Sequence, residues 1–274
     1  MYKAVFIDID GTLRSASGEI SKRNIEAIKD LMKKGILIVL CSGRPRHYVL
    51  DISKKSFASK YIISSNGAEI YNTENGKIIS IDEIPKEAIF KICSLCVKQN
   101  IRFTINAGDI RYLNKYWHDD SKEIIINFNR INEYLKDKQV TQIVVSEDKL
   151  DKMFYIKETL RDILNEYDLK IGNESRNVSY NDINSTENSF MDITRNNVSK
   201  GNAIIKFCKI MNIDIKDTIA IGDDNNDISM FKVAGYGVAM ENATDKLKEI
   251  SNEITRSNNE NGVALFLEKI INTL

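Results

Sequence analysis

The tightest constraint on this chain is a set of short apolar runs that do not alternate. "YKAVFIDI", "ILIVLCS", "YIISSN", "TIAIGD" and "YGVAM" keep Val, Ile, Leu, Phe or Ala at successive positions. A strand with one wet face alternates with period two, whereas a strand covered on both faces need not. Between the runs lie segments with helical apolar spacing. "SKRNIEAIKDLMKKG" has Ser21 placed as an N-cap and Gly35 as a stop. "SKGNAIIKFCKIMNI", "NDISMFKVAG" and the terminal "GVALFLEKIINTL" read as later helices. Buried strands alternating with helices predict an α/β fold, a doubly wound parallel sheet with helices on both faces.

The middle of the chain differs. "IRFTIN", "QIVVSE" and "RNVSYN" alternate more, which predicts a half-exposed sheet. Helices are expected from Pro85 to about Gln99 and from about Lys149 to Tyr167. These segments read as an inserted α+β domain over 83–187. The α/β core is then discontinuous, made of 1–82 and 188–274. With two prolines and no low-complexity linker, the connections are set by Gly, Asn and Asp.

Composition narrows the partners. Lys plus Arg and Asp plus Glu each number 39 in 274 residues, so no whole-chain pull towards nucleic acid or an anionic membrane is expected. No apolar run is long enough to span a bilayer and no charged-then-apolar leader opens the chain, so a soluble, cytoplasmic protein is expected. Cys93 and Cys96 form a C-x-x-C on the apolar stripe of "KEAIFKICSLCVKQN". No second cysteine or histidine pair completes a zinc site, so they read as core thiols.

Ligands of open α/β sheets bind beyond the carboxyl ends of the strands. After the first buried run come Asp8, Asp10 and Thr12; after the second, Ser42, Gly43 and Arg44; after the third, Asn66 and Gly67. After the late run comes "GDDNND", Gly222 to Asp227, and Lys200 lies just ahead of a helix. Two carboxylates side by side, met by a third from Asp223 or Asp227, are costly without a cation between them. Oxygen ligands select Mg²⁺ or Ca²⁺. An EF-hand does not fit. Counted from Asp8, Thr12 and Leu13 hold its fifth and sixth positions; counted from Asp223, Ile228 replaces its glycine.

Mg²⁺ beside a free carboxylate suits phosphoryl transfer. A carboxylate is ionised at neutral pH and needs no base to attack, and the chain has only His47 and His118 as histidines. Asp8 could take the phosphoryl group and Asp10 serve as general acid, then general base. The Ser42 hydroxyl, Gly43 N–H, Lys200 ammonium and Asn226 amide are candidate donors to the transferring group, with the backbone after Asp8.

At these residues the chain resembles the haloacid dehalogenase superfamily of phosphatases, and within it the Cof-type hydrolases. "DIDGT" is similar to the first motif, "CSGR" to the second (with Ser42 where threonine is usual), "SKG" to the lysine motif and "GDDNND" to the metal motif. "SNGA" at 65–68 and "NGVA" at 261–264 resemble the same subgroup. The resemblance implies a Rossmann-like core with Asp8 as nucleophile and Mg²⁺ ligand. Asp10 would be the acid/base and bind Mg²⁺ through its backbone carbonyl, with Asp223 completing the metal site and Asp227 supporting it. Ile9 (through its backbone), Ser42, Gly43, Lys200 and Asn226 would hold phosphate. The insert would be a cap that selects the leaving group.

A small phosphorylated metabolite is therefore the expected partner, with a sugar phosphomutase and a non-catalytic phosphometabolite-binding module as alternatives. Arg44 and Arg46 suit either substrate phosphate or helix pairing. His47 and His118 read as packing residues, and Asp119 and Asp120 as a helix cap. Asn66 and Gly67 suit either a turn or the site.

Overall fold

The computed structural model describes residues 2–58, 60–115, 122–177 and 188–273. The chain opens with β1 (Ala4–Asp8), α1 (Lys22–Lys33), β2 (Leu37–Cys41), α2 (Arg46–Ser56), β3 (Tyr61–Ser64), β4 (Glu69–Asn72) and β5 (Lys77–Ile81). It continues through α3 (Lys86–Lys98), β6 (Arg102–Ala107), β7 (Ile110–Leu113), β8 (Glu123–Ile125), α4 (Ile131–Tyr134) and β9 (Gln142–Glu147). Next come α5 (Leu150–Glu166), β10 (Leu169–Asn177) and β11 (Asn188–Arg195). It closes with α6 (Lys200–Met211), β12 (Thr218–Gly222), α7 (Ile228–Phe231), β13 (Tyr236–Met240), α8 (Asp245–Glu249), β14 (Glu253–Thr255) and α9 (Gly262–Ile271). Two compact units result, 1–81 with 199–274, and 82–198.

The first unit holds one eight-stranded sheet in the order β14-β13-β12-β1-β2-β3-β4-β5. From β14 to β3 every pairing is parallel; β4 and β5 add an antiparallel edge. Every residue of β1 is buried whatever its parity, which is why the run does not alternate: both faces are covered. Helix α1 starts where Ser21 accepts a hydrogen bond from the Asn24 N–H, satisfying one of the first-turn donors. It packs against α9, while α6 packs against α7. The helix expected over "NDISMFKVAG" is shorter, a 3₁₀ turn at Asn225–Asp227 followed by α7.

The second unit has a six-stranded sheet, β10-β11-β9-β6-β7-β8, antiparallel except for β7 against β8. Phe103, Ile105, Ile143, Val145, Met191 and Ile193 form its apolar core with Ile92, Cys93 and Cys96 of α3 and Ile156 and Leu160 of α5. The alternating polar positions are not wet as expected: Thr104, Asn106, Gln142 and Ser146 are buried. Cross-strand pairing is part of the reason, since Asn106 Nδ2 donates to Gln142 Oε1 at 2.6 Å. The unit runs to Val198, not 187, because β11 pairs with both β9 and β10. His118, Asp119, Asp120 and the end of the "RNVSYN" segment lie outside the described residues. Among the described residues no helix is long and apolar enough to cross a membrane.

Candidate active site

Strand order sets the site. β12, β1, β2 and β3 are consecutive neighbours in one parallel array, so their carboxyl ends stand side by side. Asp8 is the last residue of β1 and only 5% exposed. Gly11, at φ +85°, carries the chain around so closely that a Cβ there would lie 2.2 Å from Asp223 Oδ2. Thr12 follows, and its hydroxyl donates to Asp223 Oδ1 at 2.5 Å. The polar residues beyond β1 and β12 are thus fixed against each other across 211 positions of sequence.

Lys200 enters from the first turn of α6, where Ser199 caps the helix by accepting from the Asn202 N–H. Its ammonium is 2.5 Å from Asp8 Oδ1 and 2.6 Å from Asp227 Oδ1, with no side-chain exposure. A buried lysine is tolerable only when paired. Burial works to lower its pKa, but the two carboxylates outweigh it and hold the group charged. Asp227 Oδ2 in turn accepts from the Asp223 and Asp224 N–H groups at 2.9 and 3.1 Å. Both oxygens of Asp227 are therefore engaged by protein donors.

Asp8, Asp223 and Asp227 each bring a carboxylate oxygen within 4.8 Å of the others. Fully ionised, these acids and the one ammonium sum to two negative charges (three minus one). Burial pushes Asp8 well above the ordinary carboxylate range; Lys200 opposes this, and Asp227 and Asp223 add to it. Burial also pushes Asp223 up to about 7, against the Thr12 hydrogen bond. An all-oxygen donor set with two uncompensated charges fits a hard divalent cation.

The Asp10 side chain is not in that cluster. It turns to Arg14, Arg44 and Tyr48, with Arg44 Nε 3.0 Å from Oδ2. Ser42 is buried after β2, its hydroxyl accepting from the Arg44 N–H at 3.1 Å. Next to it, a Cβ on Gly43 would lie 2.8 Å from Asn66 Oδ1. Asn66 is buried, at φ +57°, and its Oδ1 lies 3.4 Å from Asn226 Nδ2. The strand ends and the start of α6 thus gather Asp8, Ser42, Gly43, Asn66, Lys200, Asp223, Asn226 and Asp227. The Ile9 carbonyl is used by the Arg14 N–H at 2.9 Å. Arg46 is committed elsewhere, to the buried Glu69 at 2.7 Å. The parts sequence reading overlooked are Arg14 and Tyr48 around Asp10, and Asn242, whose amide donates to the Gly11 carbonyl at 2.8 Å. Arg14 sits within reach of its motif but carries no spacing signal, and Tyr48 and Asn242 lie far from it in sequence.

The haloacid dehalogenase-like hydrolase family matches residues 5–267. The 5-amino-6-(5-phospho-D-ribitylamino)uracil phosphatase YwtE of Bacillus subtilis is 32% identical, over 98% of each chain. Phosphatase YwpJ of the same organism is 26% identical over 98% of this chain and all of its own. A crystal structure of a haloacid dehalogenase-like hydrolase from Bacteroides thetaiotaomicron superposes with a TM-score of 0.82 at 25% identity, covering 98% of this chain and 100% of that one. The parallel core, the gathered acids and a match along nearly the whole chain lead to one conclusion: the chain is an enzyme of the haloacid dehalogenase-like hydrolase family, and the relatives named here are phosphatases.

Proposed function

We propose that the protein is a Mg²⁺-dependent phosphatase that hydrolyses small phosphomonoesters, such as sugar phosphates or phosphorylated cofactors, through an aspartyl-phosphate. The observation that carries this reading is Asp8, buried at the end of β1 with one oxygen fixed by Lys200 and its carboxylate beside Asp223. A lone buried acid would be a liability; one held by an ammonium among further acids is a prepared nucleophile.

In this reading an Asp8 oxygen attacks phosphorus. The bond from phosphorus to the ester oxygen breaks, its electron pair stays on that oxygen, and the Asp10 carboxyl gives it a proton. Water then attacks the phosphorus of the acyl phosphate, Asp10 takes back a proton, and inorganic phosphate leaves with Asp8 restored. The Ser42 hydroxyl, the Gly43 and Ile9 backbones, Lys200 and Asn226 hold the phosphoryl oxygens. Asp8, Asp223 and the Asp10 carbonyl would hold the cation, supported by Asp227; it would neutralise the acids and the transferring group. The inserted unit would choose the leaving group.

The test is phosphate release from a panel of metabolite phosphates. Release should need Mg²⁺, stop with EDTA, and fall at least ~10³-fold in Asp8→Asn, as expected on losing a nucleophile. Undiminished release from Asp8→Asn would overturn the assignment. Isomerised sugar phosphate without release would make the protein a mutase instead.

A further inference from the structure

Asp10 is held more elaborately than a proton donor on a surface requires. Its Oδ2 accepts from Arg44 Nε at 3.0 Å, and its Oδ1 accepts from the Tyr48 hydroxyl at 3.1 Å and from Arg14 at 3.3 Å. Arg14 also donates from Nε to the Gly18 carbonyl at 2.6 Å and hydrogen-bonds the Tyr48 hydroxyl. The two guanidinium carbons lie 5.5 and 5.1 Å from the centre of the Tyr48 ring, within reach of a cation–π contact. The three donors come from the loop after β1, the loop after β2, and α2.

Arg14 is the better fixed of the two arginines, with its side chain 23% exposed against 57% for Arg44. Its N–H is tied to the Ile9 carbonyl at 2.9 Å and its carbonyl to the Asn258 amide at 2.8 Å. Space for its guanidinium is provided by a missing side chain: a Cβ on Gly18 would lie 2.6 Å from Arg14 Nη2. A half-exposed carboxylate is readily satisfied by water and gains little from an ion pair. Three donors on its two oxygens do something water does not: they fix its direction.

We infer that Arg14 and Tyr48 are positioning residues that aim the Asp10 carboxyl at the leaving oxygen of the substrate. The inference rests on Asp10 being the acid of the proposed reaction. Arg14 and Tyr48 touch neither phosphorus nor the leaving group; they act through Asp10. Their loss therefore matters most where the departing oxygen must receive a proton as its bond breaks, and least where it departs unprotonated.

The experiment compares an alkyl phosphate, whose alkoxide needs a proton, with p-nitrophenyl phosphate, whose phenolate leaves without one. Arg14→Met and Tyr48→Phe should lower kcat for the alkyl ester by ~10–100-fold with KM within about twofold, the scale of a misplaced acid. The nitrophenyl ester should suffer much less. Arg14→Lys should recover part of the alkyl activity. Parallel losses on both esters in all these variants, as a general structural defect would give, overturn the inference; so does no loss in any. Asp10→Asn separates the two levels of argument. If Asp10→Asn is itself indifferent to the leaving group, the reading of Asp10 as acid fails. If Asp10→Asn discriminates and the Arg14 and Tyr48 variants do not, only the positioning role fails.

Discussion

Asp223 is the residue whose surroundings make the clearest pH statement. Burial, with Asp227 and Asp224 adding to it, raises its carboxyl to about 7 despite the Thr12 hydrogen bond, and Asp8 is displaced in the same direction. For an acid raised on folding, the folded chain holds the proton more tightly than the unfolded one. The stabilisation is then fully present below the unfolded value near 4 and is lost as pH rises through about 7. A divalent cation held by these acids would compete with those protons, so its benefit would grow over the same window. The melting temperature should rise with saturating Mg²⁺ by about 5–10 °C at pH 8, from the usual linkage and size scaling, and by clearly less at pH 5.5. An increment that is flat or shrinks with pH would remove the cation from this cluster. At this scale the sequence was readable wherever residue type and spacing coincide with a strand end, as for Asp8 and Asp223. It was silent on Tyr48 and Arg14, because a side chain's direction is set by neighbours that spacing does not encode.

The elements divide in the same way. Helices α1, α3 and α5 were legible because twelve or more residues of helical apolar spacing average out local ambiguity. The β4–β5 edge was not: Glu69–Asn72 and Lys77–Ile81 are short strands turned at Gly76, with buried Glu69 inside the first. Nothing in "EIYN" announces a strand whose acid is satisfied by Arg46 and Ser64. The C-x-x-C on α3 shows periodicity deciding correctly against a motif. Cys93 and Cys96 are fully buried in the apolar stripe, and burial raises the first thiol well above its usual value and the second to about 12. Cys41 and Cys208 are buried as well. Thiolate is the reactive form, so a disulfide reagent at pH 8 should titrate almost no thiol in the native protein and four after denaturation. Rapid reaction of a pair in the native state would refute α3 as a core-facing helix.

For the whole molecule, the consequential feature is that one chain builds two separate cores. Ala4 to Ile70 and Ala203 to Ile270 supply one cluster, and Ile84 to Ile193 supply the other. The acids lie entirely in the first unit, 1–81 with 199–274. That unit needs both ends of the chain, since β1 pairs with β12 on one side and β2 on the other; the second, 82–198, is continuous. The non-alternating runs stop and resume on either side of 82–198, as the first unit does. Sequence patterning misplaced the second join because β11 belongs by pairing, not by composition, to the inserted sheet. A continuous stretch with its own core of Phe103, Ile143, Val145, Ile156 and Leu160 should fold without the rest. A fragment of 82–198 should therefore unfold cooperatively on heating, at a temperature unmoved by Mg²⁺ with orthovanadate. In the full chain the same ligands should raise the transition of the unit carrying Asp8, because only a state that binds is stabilised. A fragment that stays unfolded would show that the second core cannot stand alone. One that folds and is stabilised by those ligands would place ligand contacts outside the acid cluster.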